Sequence, residues 1–129
     1  MAIRIVRLGD PRSPEEGIRL GTVRRPPRGV RKEDYAKRDY FDLWLPDLAP
    51  SAQLVSWVQS QPLTERRWNS FSRRYRNEMR QPSARRLISL LAALSEGTAL
   101  SVGCYCVDES QCHRSLLRDL LVEAGARVV

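Results

Sequence analysis

Apolar positions near the start of the chain fall in short runs broken by turn residues. Ile3 to Leu8 predicts a strand, closed by Gly9-Asp10-Pro11 and a polar loop to Glu16. Ile18 to Val23 predicts a second strand, ended by Pro26-Pro27 and Gly29. Tyr40 to Pro46 is apolar but interrupted, and is expected as an extended loop docked on the core. From residue 50 the period lengthens. Ser51 is placed to cap a helix whose Leu54, Val55, Trp57 and Val58 turn inward, with Pro62 as its stop. Thr64 caps a second helix reaching about Arg80, in which Trp68, Phe71, Tyr75 and Met79 share one face. Pro82-Ser83 opens a third helix, with Leu87, Ile88, Leu90, Leu91 and Leu94 as a wide apolar face ending at Gly97.

The last third has the plainest pattern. Thr98 to Cys106 is a run of small and apolar residues, as in a strand buried on both faces. Val107 to Gln111 reads as a loop. Cys112 to Ala124 is a helix with Leu116, Leu117, Leu120, Leu121 and Ala124 inward and Gly125 just past its end. Arg127-Val128-Val129 is the stub of a further strand. Strand, helix and strand over about 98–129 make a βαβ-type unit. The expected fold class is therefore α/β: a single small domain with a mainly parallel sheet flanked by helices.

Length agrees, since 129 residues hold one domain. Apolar residues at 42% and charged residues at 29% mark a globular chain. No apolar run is long enough for a membrane span, so no membrane partner is expected. Three cysteines do not suit a secreted disulfide framework, and a cytoplasmic location is expected.

Charge adds a second theme. The net charge is +7, and all but Lys32 and Lys37 of the 22 basic residues are arginine. Eight arginines fall in residues 1–31 and eight more in 66–86, while the other segments are net acidic. Two such blocks suit nucleic acid or a phosphorylated ligand if they meet in space. They equally suit a solvated surface. The Trp68–Met79 stripe has the spacing of a core face rather than of a base-stacking platform.

The candidate chemistry converges on the turn after the last strand. Cys104, Cys106, Cys112, His113 and Arg114 all fall where α/β folds place ligands, at a strand's carboxyl end before a helix N-terminus. Unpaired amides there attract anions and lower a thiol's pKa. In one reading the turn holds an anion or phosphate ester, with Cys106 or Cys112 as nucleophile, His113 as acid or base and Arg114 as clamp. The layout is similar to phosphatase and rhodanese loops, but those set Cys and Arg closer than the seven residues separating Cys106 from Arg114. A second reading is thiol redox chemistry, with Cys106 attacking and Cys112 or Cys104 resolving, although no C-x-x-C is present. A third is a zinc site from Cys104, Cys106, Cys112 and His113. Its spacing is uncommon, and adjacent residues at a helix start are expected to diverge, so neither metal nor cofactor is expected. In a fourth reading the cysteines are small buried hydrophobes and His113 packs.

Several blocks resemble a known family. Val23-Arg24-Arg25-Pro26-Pro27-Arg28-Gly29-Val30 with Lys32-Glu33-Asp34, Trp44-Leu45-Pro46-Asp47-Leu48-Ala49-Pro50-Ser51, and Phe71 to Met79 are similar to blocks of the YeaO-like group of a domain-of-unknown-function family. The Cys-Tyr-Cys and Cys-His-Arg-Ser elements complete the likeness, which spans roughly 18 to 125. The resemblance implies a compact α/β protein and supplies no reaction. Read physically, Pro26 and Pro27 stiffen the first block, so Arg24, Arg25 and Arg28 would bind an anion with little loss of freedom. Alternatively they pair with Glu33, Asp34 or Asp39. Arg74 and Tyr75 are weaker candidates for the same pocket. The expected function is binding of an anionic small molecule at the cysteine turn, with an enzyme and a binding protein both open. Nucleic-acid binding through the arginine blocks and thiol redox chemistry are the alternatives.

Overall fold

The computed structural model describes residues 2–106 and 111–129, so most of the expected loop after Cys106 lies outside the described residues. Four parallel strands form one sheet in the order β1-β4-β2-β3: β1 Ile3–Arg7, β2 Ile18–Gly21, β3 Leu43–Trp44 and β4 Leu100–Cys104. Helices α1 Ala52–Gln59, α2 Glu65–Glu78 and α3 Pro82–Leu94 join β3 to β4, and α4 His113–Glu123 follows β4. The protein is a small α/β domain, as its pattern predicts.

The central strand β4 is buried at all five positions. Its register pairs Leu100 and Val102 with Ile3 and Ile5 on one side and with Ile18 and Leu20 on the other. Ile3, Leu20, Leu100 and Val102 therefore share a face with the helices. Leu54 of α1, Phe71 and Tyr75 of α2, Ile88 and Leu91 of α3, and Leu117 and Leu121 of α4 join them in one core. The opposite face is covered by loops. There Ser101 donates to the Glu16 carbonyl, Arg19 is buried, and the Phe41 ring lies where a Cβ on Gly21 would stand.

Local signals explain the helix starts. Ser51 accepts from the Leu54 amide and Thr64 from the Arg67 amide, as N-caps do. Gly125, at φ +93°, ends α4 in the left-handed region open to glycine. Val128 makes the expected strand stub as a single parallel bridge to Ile3.

Three expectations need correction. Leu43–Trp44 is an edge strand and not a docked loop: Asp42 and Leu45 donate to the carbonyls of Arg19 and Gly21, filling the free edge of β2. Leu90 and Leu94 stay exposed because the α3 apolar face is wider than its contact with α4. Ala124 is exposed at the end of α4. No described helix is long and apolar enough to cross a membrane.

Candidate functional site

The site lies beyond the carboxyl ends of β2 and β4. Thr22 follows β2 and is fixed twice to Gly103 of β4, its amide and its hydroxyl both donating to that carbonyl. The Thr22 carbonyl then faces α4 and accepts from Nε2 of His113 at 2.6 Å. A carbonyl can only accept, so the proton sits on Nε2 and leaves Nδ1 bare. That Nδ1 is 3.8 Å from Sγ of Cys112, the residue capping α4. Burial pushes the His113 pKa down to about 4, with the Arg114 charge adding to the effect and the Thr22 carbonyl opposing it. The ring is therefore neutral near neutral pH.

Cys104 ends β4, Cys106 follows the turn and Cys112 stands opposite. Their three sulfurs lie within 4.8 Å of one another. The Sγ atoms of Cys104 and Cys112 touch, while Cys106 is exposed. The donors gathered within 4.8 Å are the three sulfurs, and the His113 ring is not among them. Cys112 and His113 turn to the same side, because Thr22 holds the imidazole there.

A cleft of about 760 Å³ opens over this cluster, and joins segments distant in sequence. One wall is Arg24, Arg25, Pro26, Pro27 and Arg28; another is α1 through Val55, Ser56 and Gln59; Trp68 and Phe71 of α2 lie behind. Tyr105 ties the first wall to the cysteine turn, its hydroxyl donating to the Arg25 carbonyl. Burial, with Tyr35 and Tyr40 nearby, pushes the Tyr105 pKa up. No acidic side chain lines the cleft among the described residues.

The arginines divide by role. Arg24 donates to the carbonyls of Pro46, Ala49 and Pro50, and so fastens its loop to the start of α1. Arg25 and Arg28 are exposed, and their guanidinium groups have no acceptor among the described residues. The alternative pairing with Glu33, Asp34 or Asp39 does not occur for them; Arg31 takes Asp34 and Arg12 takes Asp39.

Other expected site residues stand elsewhere. Arg114, read as an anion clamp, is buried and donates to the carbonyls of Val6 and Cys106. It positions the cysteine turn against β1. Arg74 stacks on Trp57 at 4.7 Å, beside Arg67 on the same ring at 4.2 Å, outside the cleft. Tyr75 is core: it is fully buried, packs against Phe71 and His113, and donates to the Leu48 carbonyl. Burial, then the Glu78 charge, pushes its pKa up. Tyr75→Phe is expected to lower stability by about 1–3 kcal/mol, since the buried Leu48 carbonyl loses its donor. Urea denaturation checks this; a loss below ~0.5 kcal/mol would mean that water reaches that carbonyl. Sequence reasoning missed Thr22 and the α1 wall, neither of which carries a motif.

Residues 3–125 match the family DUF488-N3a, described as the active DUF488-N3 subclade. The chain belongs to the DUF488-N3a family. This meets the expectation of a domain-of-unknown-function family. The chain is also 32% identical over 100 residues to the uncharacterized protein Rv3073c of Mycobacterium tuberculosis strain H37Rv, covering 78% of this chain and 74% of that protein. The uncharacterized protein Mb3100c of Mycobacterium bovis matches to the same extent. No solved structure matches.

Proposed function

We propose that this DUF488-N3a protein binds a small anionic compound, phosphorylated or carboxylated, in the cleft between the Arg24–Arg28 segment and the cysteine turn. The observation carrying this reading is the pair Arg25 and Arg28, without acceptors among the described residues, on a cleft whose described lining has no carboxylate. Its volume of about 760 Å³ suits a metabolite-sized ligand. Arg24 and the two prolines hold the segment in place, so binding loses little conformational freedom. The second arginine block supports a nucleic-acid surface less well. Arg67 and Arg74 stack on Trp57, and Arg76 pairs with Asp119 and Glu123.

Calorimetric titration with inorganic phosphate, sugar phosphates, nucleoside monophosphates and dicarboxylates tests the reading. A charge-assisted hydrogen bond is worth ~1.5–3 kcal/mol, so Arg25→Ala and Arg28→Ala are each expected to weaken binding about tenfold or more. Single-stranded and duplex nucleic acids are expected not to bind at physiological salt. If no anion binds, or if the double variant binds as well as the parent, the reading fails. Steeply salt-dependent nucleic-acid binding would put the nucleic-acid alternative in its place.

A further inference from the structure

We propose that Cys104, Cys106, Cys112 and Nδ1 of His113 form a binding site for a zinc-class divalent cation in the wall of the cleft. This goes beyond the anion reading and stands without it, because its donors are other residues.

The three sulfurs are already within 4.8 Å of one another. Zinc–thiolate bonds of about 2.3 Å in a tetrahedron put neighbouring sulfurs roughly 3.8 Å apart, so small side-chain rotations bring the set into range. A fourth donor adjoins the three sulfurs at Cys112. His113 Nδ1 is bare and 3.8 Å from Cys112 Sγ, while Nε2 donates to the Thr22 carbonyl. A metal-bound histidine is held in this way, with its other ring nitrogen donating to a carbonyl that fixes tautomer and ring plane. Thr22 is in turn fixed to Gly103, so the support reaches the central strand.

A disulfide accounts for the cluster less well. The Cα atoms of Cys104 and Cys112 are 7.9 Å apart, beyond the span of about 4.4–6.8 Å that a bridge takes. A shared cation removes that constraint. Three sulfurs and one imidazole select a soft or borderline metal over magnesium or calcium. Three thiolates around a dication carry a net charge of −1, which the Arg114 guanidinium, held on the Cys106 carbonyl, complements.

The test starts from the full chain, reduced and freed of metal with a chelator, and titrated with cobalt(II). One ion per chain, with cobalt–thiolate charge-transfer absorption and displacement by zinc, is expected. Zinc should protect all three thiols from alkylation. Cys106→Ser, at an exposed position, should keep the fold yet weaken zinc more than about 100-fold, beyond the cost of losing an outer-shell partner. Absence of cobalt–thiolate absorption with three reduced thiols overturns the proposal, as does unchanged zinc affinity in Cys106→Ser. A Cys104–Cys112 crosslink that, once reduced, leaves a chain unable to bind cobalt overturns it in favour of redox chemistry. Arg25→Ala with Arg28→Ala should bind zinc normally, and the metal-free parent protein should still bind the anion. Failure of either site is thereby read separately from the other.

Discussion

Arg19→Met is expected to destabilise the protein by about 3–5 kcal/mol, the range for breaking a buried ion pair from one side. Arg19 is 1% exposed, on the sheet face that no helix covers. Its Nε and Nη2 both donate to one oxygen of Glu16, at 3.0 and 2.7 Å, and Nη1 donates to the carbonyls of Asp10 and Asp39. The other Glu16 oxygen accepts from the Ser13 amide. Methionine fills similar space but leaves Glu16, itself 6% exposed, as a buried charge without its cation. It also frees Asp39, whose φ of 61° is held by Arg19 and by Arg12. Urea denaturation should show the loss as a lower midpoint. Arg19→Met combined with Glu16→Gln should recover part of it, because no uncompensated charge remains. A loss below ~1 kcal/mol for the single change would mean that water screens Glu16. Against a total stability of about 5–15 kcal/mol for a typical domain, the expected loss decides whether the chain is folded at 37 °C.

The helices and central strand were legible because their signals are local. Ser51 and Thr64 cap within three residues, the Trp68–Met79 stripe repeats at helical spacing, and the small residues of β4 reflect burial on both faces. The strand Leu43–Trp44 was not, since two residues carry no period and only the open edge of β2 makes them a strand. Tyr75 illustrates the same limit within one residue. Its place on the apolar stripe was correct, and its suggested part in a pocket was not, because the acceptor of its hydroxyl is 27 residues away at Leu48.

The candidate site was legible as a list of residues but not as an arrangement. Cys104, Cys106, Cys112 and His113 stand out by type and spacing alone. What turns the imidazole toward the Cys112 sulfur is the Thr22 carbonyl, 91 residues earlier. Arg114 looked like an anion clamp by charge and position, yet its acceptors include a carbonyl 108 residues away. A buried arginine bonded to carbonyls and an exposed arginine awaiting a ligand read the same in sequence. The fold separates them: Arg24 and Arg114 hold backbone, and Arg25 and Arg28 face the cleft.

Gly103→Ala joins fold and site, and is expected to cost about 3 kcal/mol, the upper end for overpacking a core. Gly103 is on the central strand opposite Val6 of β1. A Cβ there would lie 2.5 Å from the Val6 carbonyl oxygen, with Val6 Cγ2 at 2.9 Å and Leu8 Cδ2 at 3.0 Å. The oxygen belongs to a paired strand and cannot swing aside like the end of a side chain, so β1 must shift against β4. That same oxygen accepts from Arg114, whose other nitrogen holds the Cys106 carbonyl. The Gly103 carbonyl in turn fixes Thr22, and through it His113. Displacing Val6 therefore moves Cys106, and displacing Gly103 moves the imidazole. Urea denaturation should show the lost stability, and cobalt titration of the fraction that folds should show weakened binding. Gly97→Ala is the control: nothing lies within 4 Å of a Cβ there, and its effect should stay within about 1 kcal/mol of zero. A fully stable Gly103→Ala protein would mean that β1 yields without cost. Lost stability with cobalt binding intact would mean that Val6, Arg114 and Thr22 do not position the cysteine turn.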